Sequence, residues 1–216
     1  PGTEALLAQF DAIGIGPNSQ FDQYALSPEV KRGLDRALDD GEALVQAATQ
    51  RTIDSYNGWM ISKQIGRYGF NYLQRAAVAR GGYGNLPEES LYPAMIFDDQ
   101  GQLLDGARGY RLHFPAGQMP PVDGFWSLAV YRLGDHQLEE NDLARYSIGD
   151  RTQGLHYNAD GSLTLQLQHD KPTAGQANWL PTPAGKFMAV MRLYEPRESV
   201  LGFDYLLPAI EAIVEE

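Results

Sequence analysis

Apolar residues recur at two periods along this chain, and the change from one to the other falls after Pro87. Leu6, Leu7, Phe10 and Ile13 sit at helical spacing until the Gly14–Pro17 break. Ser27, Pro28 and Glu29 then supply a helix start: a hydroxyl cap, a proline at the first helical position and an acid near the positive dipole end. Val30, Leu34, Leu38, Leu44, Val45 and Ala48 continue it as one apolar stripe to about Gln50. Gly33 and Gly41 each cost such a helix about 1 kcal/mol relative to Ala, so packing must stabilise it. A third helix is predicted over about Tyr68–Arg80, carrying Tyr72, Leu73, Ala76 and Ala77 and stopping at Gly81–Gly82. The first eighty or so residues therefore read as helical.

Beyond Pro87 the alternation is that of strands. Leu91–Phe97 and Tyr110–Phe114 flank the turn signal Asp98–Gln102, and Phe125–Arg132 places Trp126, Leu128 and Val130 on one face. Leu163, Leu165 and Leu167 alternate with Thr164, Gln166 and Gln168 after a turn at Asn158–Gly161, where Gly161 can be left-handed. Phe187–Tyr194 is apolar on both faces apart from Arg192, which marks a central strand. Pro115–Pro121 and Pro181–Pro183 read as stiff connections on the rim. The expected fold is mainly β: a jelly-roll-like antiparallel β-sandwich over 86–216, preceded by a small helical subdomain over 1–85, with the boundary inside Gly81–Glu89.

Composition narrows the function classes. Hydrophobic residues at 43% and charged residues at 21% describe a folded globular chain. A net charge of −11 disfavours nucleic acid, which needs concentrated Lys and Arg, and favours neutral or cationic ligands. No apolar run reaches the roughly 18 residues of a transmembrane helix. Cysteine is absent, which removes disulfides, thiolate nucleophiles and cysteine metal sites and suits either cytoplasm or periplasm. His113, His136, His156 and His169 never fall at metal-ligand spacing, so no metal is expected. There is no serine elbow, phosphate loop or dinucleotide fingerprint, and no cofactor is expected.

Two constellations remain in Asn141–Tyr194. Arg145 and Arg151 bracket Asp150, with Gly149 allowing a tight turn. Such a group is either an ion-paired turn or an anion clamp with Asp150 as a general base. Asn178 and Trp179, with Gln168, Asn158 and Tyr157, put an indole beside planar amides, as in sugar-gripping sites; the bland reading is a buried Trp anchoring a loop. Asp150 and Asp160 are the weak catalytic candidates. Arg145, Arg151, Asn158, Gln168, Asn178 and Trp179 are the ligand-binding candidates. The acids Glu139, Glu140 and Asp142 read as a solvated loop.

Several longer segments carry a family resemblance: IGRYGFNYLQRA (Ile65–Ala76), LPEESLYP (Leu86–Pro93), FPAGQMPPVDGFWSLAVY (Phe114–Tyr131), RYSIGDRT (Arg145–Thr152), YNADGSLTLQLQHD (Tyr157–Asp170), NWLPTPAGKF (Asn178–Phe187) and MRLYEP (Met191–Pro196). In this order, they resemble the C-terminal half of the bacterial domain-of-unknown-function 1254/1214 family. The resemblance implies a helical subdomain followed by a jelly-roll-like sandwich. It also implies a further β-domain upstream and often an export signal, so the chain reads as a short member or a fragment. The expected location is the periplasm or cell envelope, with the cytoplasm as the alternative. That family carries no agreed activity, so no catalytic role transfers. Three functions follow in order: a noncatalytic module binding a polar glycan-like or amphipathic ligand; a metal-independent hydrolase or lyase acting on a carbohydrate or ester; and a structural domain that packs on an upstream β-domain or forms a homo-oligomer.

Overall fold

The computed structural model describes residues 2–17, 19–49, 54–80 and 84–213. They group into two units, Pro1–Thr52 with Tyr68–Tyr83 and Ile53–Arg67 with Gly84–Glu216.

The first unit is helical. Helix α1 (Glu4–Leu7) runs into a 3-10 segment at Ala8–Ile13, and Gly14 ends it in the left-handed conformation at φ 75°. Helix α2 (Pro28–Thr49) starts where expected: Ser27 Oγ accepts the Val30 N–H at 3.3 Å. Helix α3 (Tyr72–Arg80) begins four residues later than its apolar pattern suggests, because Asn71 is the cap and its Oδ1 accepts the Gln74 N–H at 3.1 Å. Tyr68–Asn71 is spent on the turn before it. Helices α2 and α3 pack together, burying Ala48 and Ala77, and Arg80 meets Glu42. The expected stop at Gly81–Gly82 and the helix end at Gln50 lie outside the described residues.

The second unit is a two-sheet sandwich, and its first hairpin corrects the helical reading of the lead. Strands β1 (Asp54–Tyr56) and β2 (Trp59–Ile61) pair antiparallel around Asn57 (φ 50°) and Gly58 (φ 82°). Asn-Gly is the sequence best able to hold two positive φ values in a two-residue hairpin loop. The hairpin is anchored in the sandwich, where Trp59 Nε1 donates to Pro208 O at 2.7 Å.

The remaining strands are β3 (Ser90–Leu91), β4 (Ala94–Met95), β5 (Tyr110–Phe114), β6 (Trp126–Arg132), β7 (Ser147–Gly149), β8 (Leu163–Gln168), β9 (Trp179–Pro181), β10 (Phe187–Tyr194) and β11 (Ile210–Ala212), with a short helix α4 (Glu198–Leu201) before β11. One sheet runs β1-β2-β4-β10-β6-β7, with β3 also on β10; the other runs β11-β5-β8-β9. All pairs are antiparallel except β8 with β9, which is parallel. The single strand expected over Leu91–Phe97 is split because Pro93 has no N–H to give the ladder. Asp98–Gln102 is the turn expected, closed by Asp98 Oδ1 accepting the N–H groups of Gln100 and Gln102.

Strand β10 is central, flanked by β4 and β6, and its residues alternate between core and outer face. Its register sets Met191 opposite Leu128 and Ala189 opposite Val130, all buried. From the facing sheet Tyr110, Leu112, Phe114, Leu163, Leu165 and Leu167 point into the same core with no exposed surface. Full burial of each such Leu or Phe is worth about 1.5–3 kcal/mol, which fixes register: a one-residue slip would turn the whole set to water. Pro181–Pro183 is not a rim connection. Pro181 ends β9, and all three residues are buried.

Candidate functional site

Arg145, Asn178, Trp179 and Gln168 are brought together, and they are spent on one another. The Nη1 of Arg145 donates to the carbonyls of Gln176, Ala177 and Trp179 at 3.1, 3.2 and 2.7 Å. Its backbone is held in turn by Asn141, whose Oδ1 accepts the Arg145 N–H at 3.0 Å and whose Nδ2 donates to Arg145 O at 3.1 Å. Asn178 is buried and stitches three segments: Oδ1 accepts the His156 N–H at 2.8 Å, and Nδ2 donates to the carbonyls of His156 and Thr164 at 2.7 and 3.0 Å. Trp179 is 6% exposed, and its indole N–H reaches Gln168 O at 2.9 Å. The amide of Gln168 donates to Asp170 O at 2.7 Å. These groups form a hydrogen-bonded knot that pins β9 beside β8.

The other candidates lie elsewhere in the unit. Asp150 meets neither arginine: its Oδ1 accepts the Trp126 N–H at 3.3 Å, and no ion pair to it forms among the described residues. The guanidinium carbon of Arg151 lies over the Phe125 ring, 4.3 Å from its centroid, and Nη2 donates to Gly124 O at 3.3 Å. Phe125 stacks on Tyr194 at 4.3 Å, so Arg151, Phe125 and Tyr194 together line an indented surface beside Asn85 and Glu88. Asn158 donates to Ser162 Oγ at 2.9 Å. Asp160 accepts from the Ser162 hydroxyl and N–H at 2.7 and 2.9 Å, and these bonds hold its carboxyl below the usual range. A carboxylate so stabilised is a poor proton donor near neutrality. Gly149 serves a close approach rather than a positive φ: an added Cβ would lie 2.1 Å from Trp126 O.

Beside the knot lies a cleft of about 450 Å³, lined by Glu139, Glu140, Asn141, Asp142 and Leu143 on one side and His169, Asp170, Lys171, Trp179, Pro181 and Thr182 on the other. Glu139 is held by Arg132 at 2.8 Å, whereas Glu140, Asp142 and Asp170 have no ion-pair partner among the described residues. His169 Nδ1 faces Thr182 O at 2.9 Å and so donates to it. The Thr182 hydroxyl oxygen is buried with no hydrogen-bond partner among the described residues. The acids of 139–142 were read from sequence as a solvated loop; their place in the wall depends on Arg145 and Asn141 folding that loop back, a pairing with no sequence signature. Among the described residues no three His, Asp or Glu side chains are grouped to hold a metal, and no helix is long and apolar enough to cross a membrane.

The chain is 28% identical to the VPA0106 protein from Vibrio parahaemolyticus, whose crystal structure superposes with a TM-score of 0.68 over 98% of this chain and 51% of that one. A crystal structure of an uncharacterised protein from Burkholderia cenocepacia aligns with 97% of the chain and 48% of its own length, at 16% identity and a TM-score of 0.38. The chain thus spans about half the length of both. No curated protein matches it. The family described as a protein of unknown function, DUF1214, matches residues 89–198, which hold the knot, the cleft wall and the eight strands β3 to β10: the chain belongs to the DUF1214 family.

Proposed function

We propose that the sandwich is a noncatalytic binding module that takes a polar, glycan-like ligand in the cleft between 139–143 and 169–182. The observation that supports it is the way the Arg145–Asn178–Trp179 knot builds a fixed wall for a concave, partly apolar site of ligand size. Preorganisation of this kind lowers the ordering cost of binding. On this reading the knot shapes the site, and the ligand meets Glu140, Asp142, Asp170, Lys171 and the edge of Trp179. The carboxylates favour a neutral or amino-bearing ligand over an acidic one. The buried Thr182 hydroxyl supports the same reading, because an unpaired group at a cleft wall is relieved by a polar guest or by water. Residence in the periplasm or cell envelope belongs to the same proposal and rests on the family resemblance alone.

Titration calorimetry with a neutral oligosaccharide, its amino-sugar counterpart and its uronic-acid counterpart tests this. The expected order is amino-bearing, then neutral, then acidic. Changing Asp142→Asn together with Asp170→Asn should weaken the amino-bearing ligand about fivefold, the scale of two exposed ion pairs, and the neutral one little. Heats indistinguishable from dilution with all three would overturn the proposal.

A further inference from the structure

The cleft does not close at Thr182. A second cavity of about 520 Å³ lies between Gly134 and Asp135 on one side and Pro183, Gly185 and Lys186 on the other. Glu139 lines both cavities, and Thr182 of the first is followed directly by Pro183 of the second. The same two stretches of chain therefore wall both, end to end, as one groove. Trp179, Pro181 and Pro183 line it successively and supply apolar faces along one wall. An extended run from Trp179 to Gly185 covers up to about 20 Å, longer than a single sugar ring.

The second cavity is built as firmly as the first. Arg132 holds the carboxylate of Asp135 through Nε and Nη2 at 3.0 and 2.8 Å, and Glu139 through Nη1 at 2.8 Å. One side chain thus fixes both the turn after β6 and the ridge between the cavities. On the opposite wall Gly185 O accepts the Gly106 N–H and Lys186 O accepts the Leu133 N–H, each at 3.0 Å. Gly134 and Gly185 have no positive φ, and a Cβ built on either meets nothing within 4 Å. Neither backbone strain nor close packing calls for glycine at these two positions, and their lack of side chains keeps the cavity open. Charge changes along the groove. Glu140, Asp142 and Asp170 face the first cavity without ion-pair partners among the described residues. In the second, both acids are spent on Arg132, and Lys186 is a cation with no ion pair among the described residues.

Resting on the assignment of the cleft to a glycan, we propose that the two cavities are successive subsites for one linear oligosaccharide, with an amino-bearing end unit in the first and uncharged units in the second. The amine meets the free carboxylates of the first cavity. Lys186 donates to hydroxyl or amide oxygens of the units that follow, where no unpaired acid remains to favour a second amine. Once the end unit is seated, engagement of the second subsite is intramolecular, so affinity grows with chain length.

Calorimetry with a disaccharide and a tetrasaccharide of N-acetylglucosamine, each with one end unit deacetylated to a free amine, tests this. The single amine fixes the register, so added length adds contacts rather than further ways of binding. The tetrasaccharide should bind about tenfold more tightly than the disaccharide. Gly134→Leu and Gly185→Leu fill the second cavity from opposite walls. Each should remove that gain while leaving the disaccharide within about twofold of its affinity for the unaltered chain, and thermal melts confirm that both variants fold. Equal binding of the two oligomers, a gain that survives both substitutions, or an equal loss for both oligomers would overturn the second subsite and leave the cleft a glycan site. Absence of heat with either oligomer would overturn the reading of the cleft and this inference together.

Discussion

The guanidinium of Arg145 donates to two carbonyls of the turn before β9 and to that of Trp179, the first residue of β9, and Asn178 bonds two further segments. Removing Asn178 strips the carbonyls of His156 and Thr164 of a donor, and removing Arg145 strips the part-buried carbonyl of Trp179. Asn178→Ala should lower unfolding free energy by about 2–3 kcal/mol and Arg145→Ala by about 1–3, measured in denaturant. Asn178→Asp tests the same point without a cavity: it keeps the acceptor for His156 but loses both donated bonds. Gly149→Ala should cost about 1–3 kcal/mol or more, because its Cβ would meet the backbone of Trp126 and β7 would have to shift from β6. At this scale the sequence was half legible. The residue types in Arg145–Trp179 announced that polar groups were being ordered, but not whether by a ligand or by each other. Asp150 and Arg151 sit side by side in sequence and diverge in space because β7 ends at Gly149 and both lie in the turn that the Thr152 N–H closes on Gly149 O at 3.0 Å.

Elements were legible wherever one face had to be dry. The alternation of β5, β6 and β8 and the Ser27 start of α2 follow directly from period and capping chemistry. The hairpin of β1 and β2 went unread although Asn57-Gly58 announces it, because three-residue strands carry too little periodicity to stand against the helical pattern around them. Gly58 holds φ 82° against the methyl of Met95, so Gly58→Ala should destabilise the sandwich by about 1–2 kcal/mol. Gly33→Ala is the opposite case. With an ordinary helical backbone and open space around it, this change should stabilise α2 by up to about 1 kcal/mol, seen as a higher helical melting temperature.

For the molecule as a whole, pH reads out the buried phenols. Tyr110 has no exposed surface, its hydroxyl is paired with Asp105, and burial pushes its ionisation up; burial does the same to Tyr205. A folded state that resists ionisation longer than the unfolded chain holds its full stability below the ordinary tyrosine range. It loses that stability as pH rises through about 10 and beyond. Tyr205→Phe should therefore flatten the alkaline limb of a stability profile while leaving the neutral value nearly unchanged. At the acid end Asp160 acts oppositely: its lowered ionisation supports the fold above about pH 4, and that support fades as pH falls further.

By itself the sequence determined which stretches must be buried, and hence a mainly β body behind a helical lead, because burial of apolar area enforces period and register locally. It also determined the family, through segments long enough to be recognised in order. Only the tertiary structure decided that Pro181–Pro183 lies inside, that β9 runs parallel to β8, and that Arg145 and Asn178 spend their hydrogen bonds on carbonyls up to 34 residues away. Backbone carbonyls are the same at every position, so a side chain's choice among them leaves no mark on the sequence. Their positions in the fold turn a run of polar residues into a knot, and place a cleft beside it.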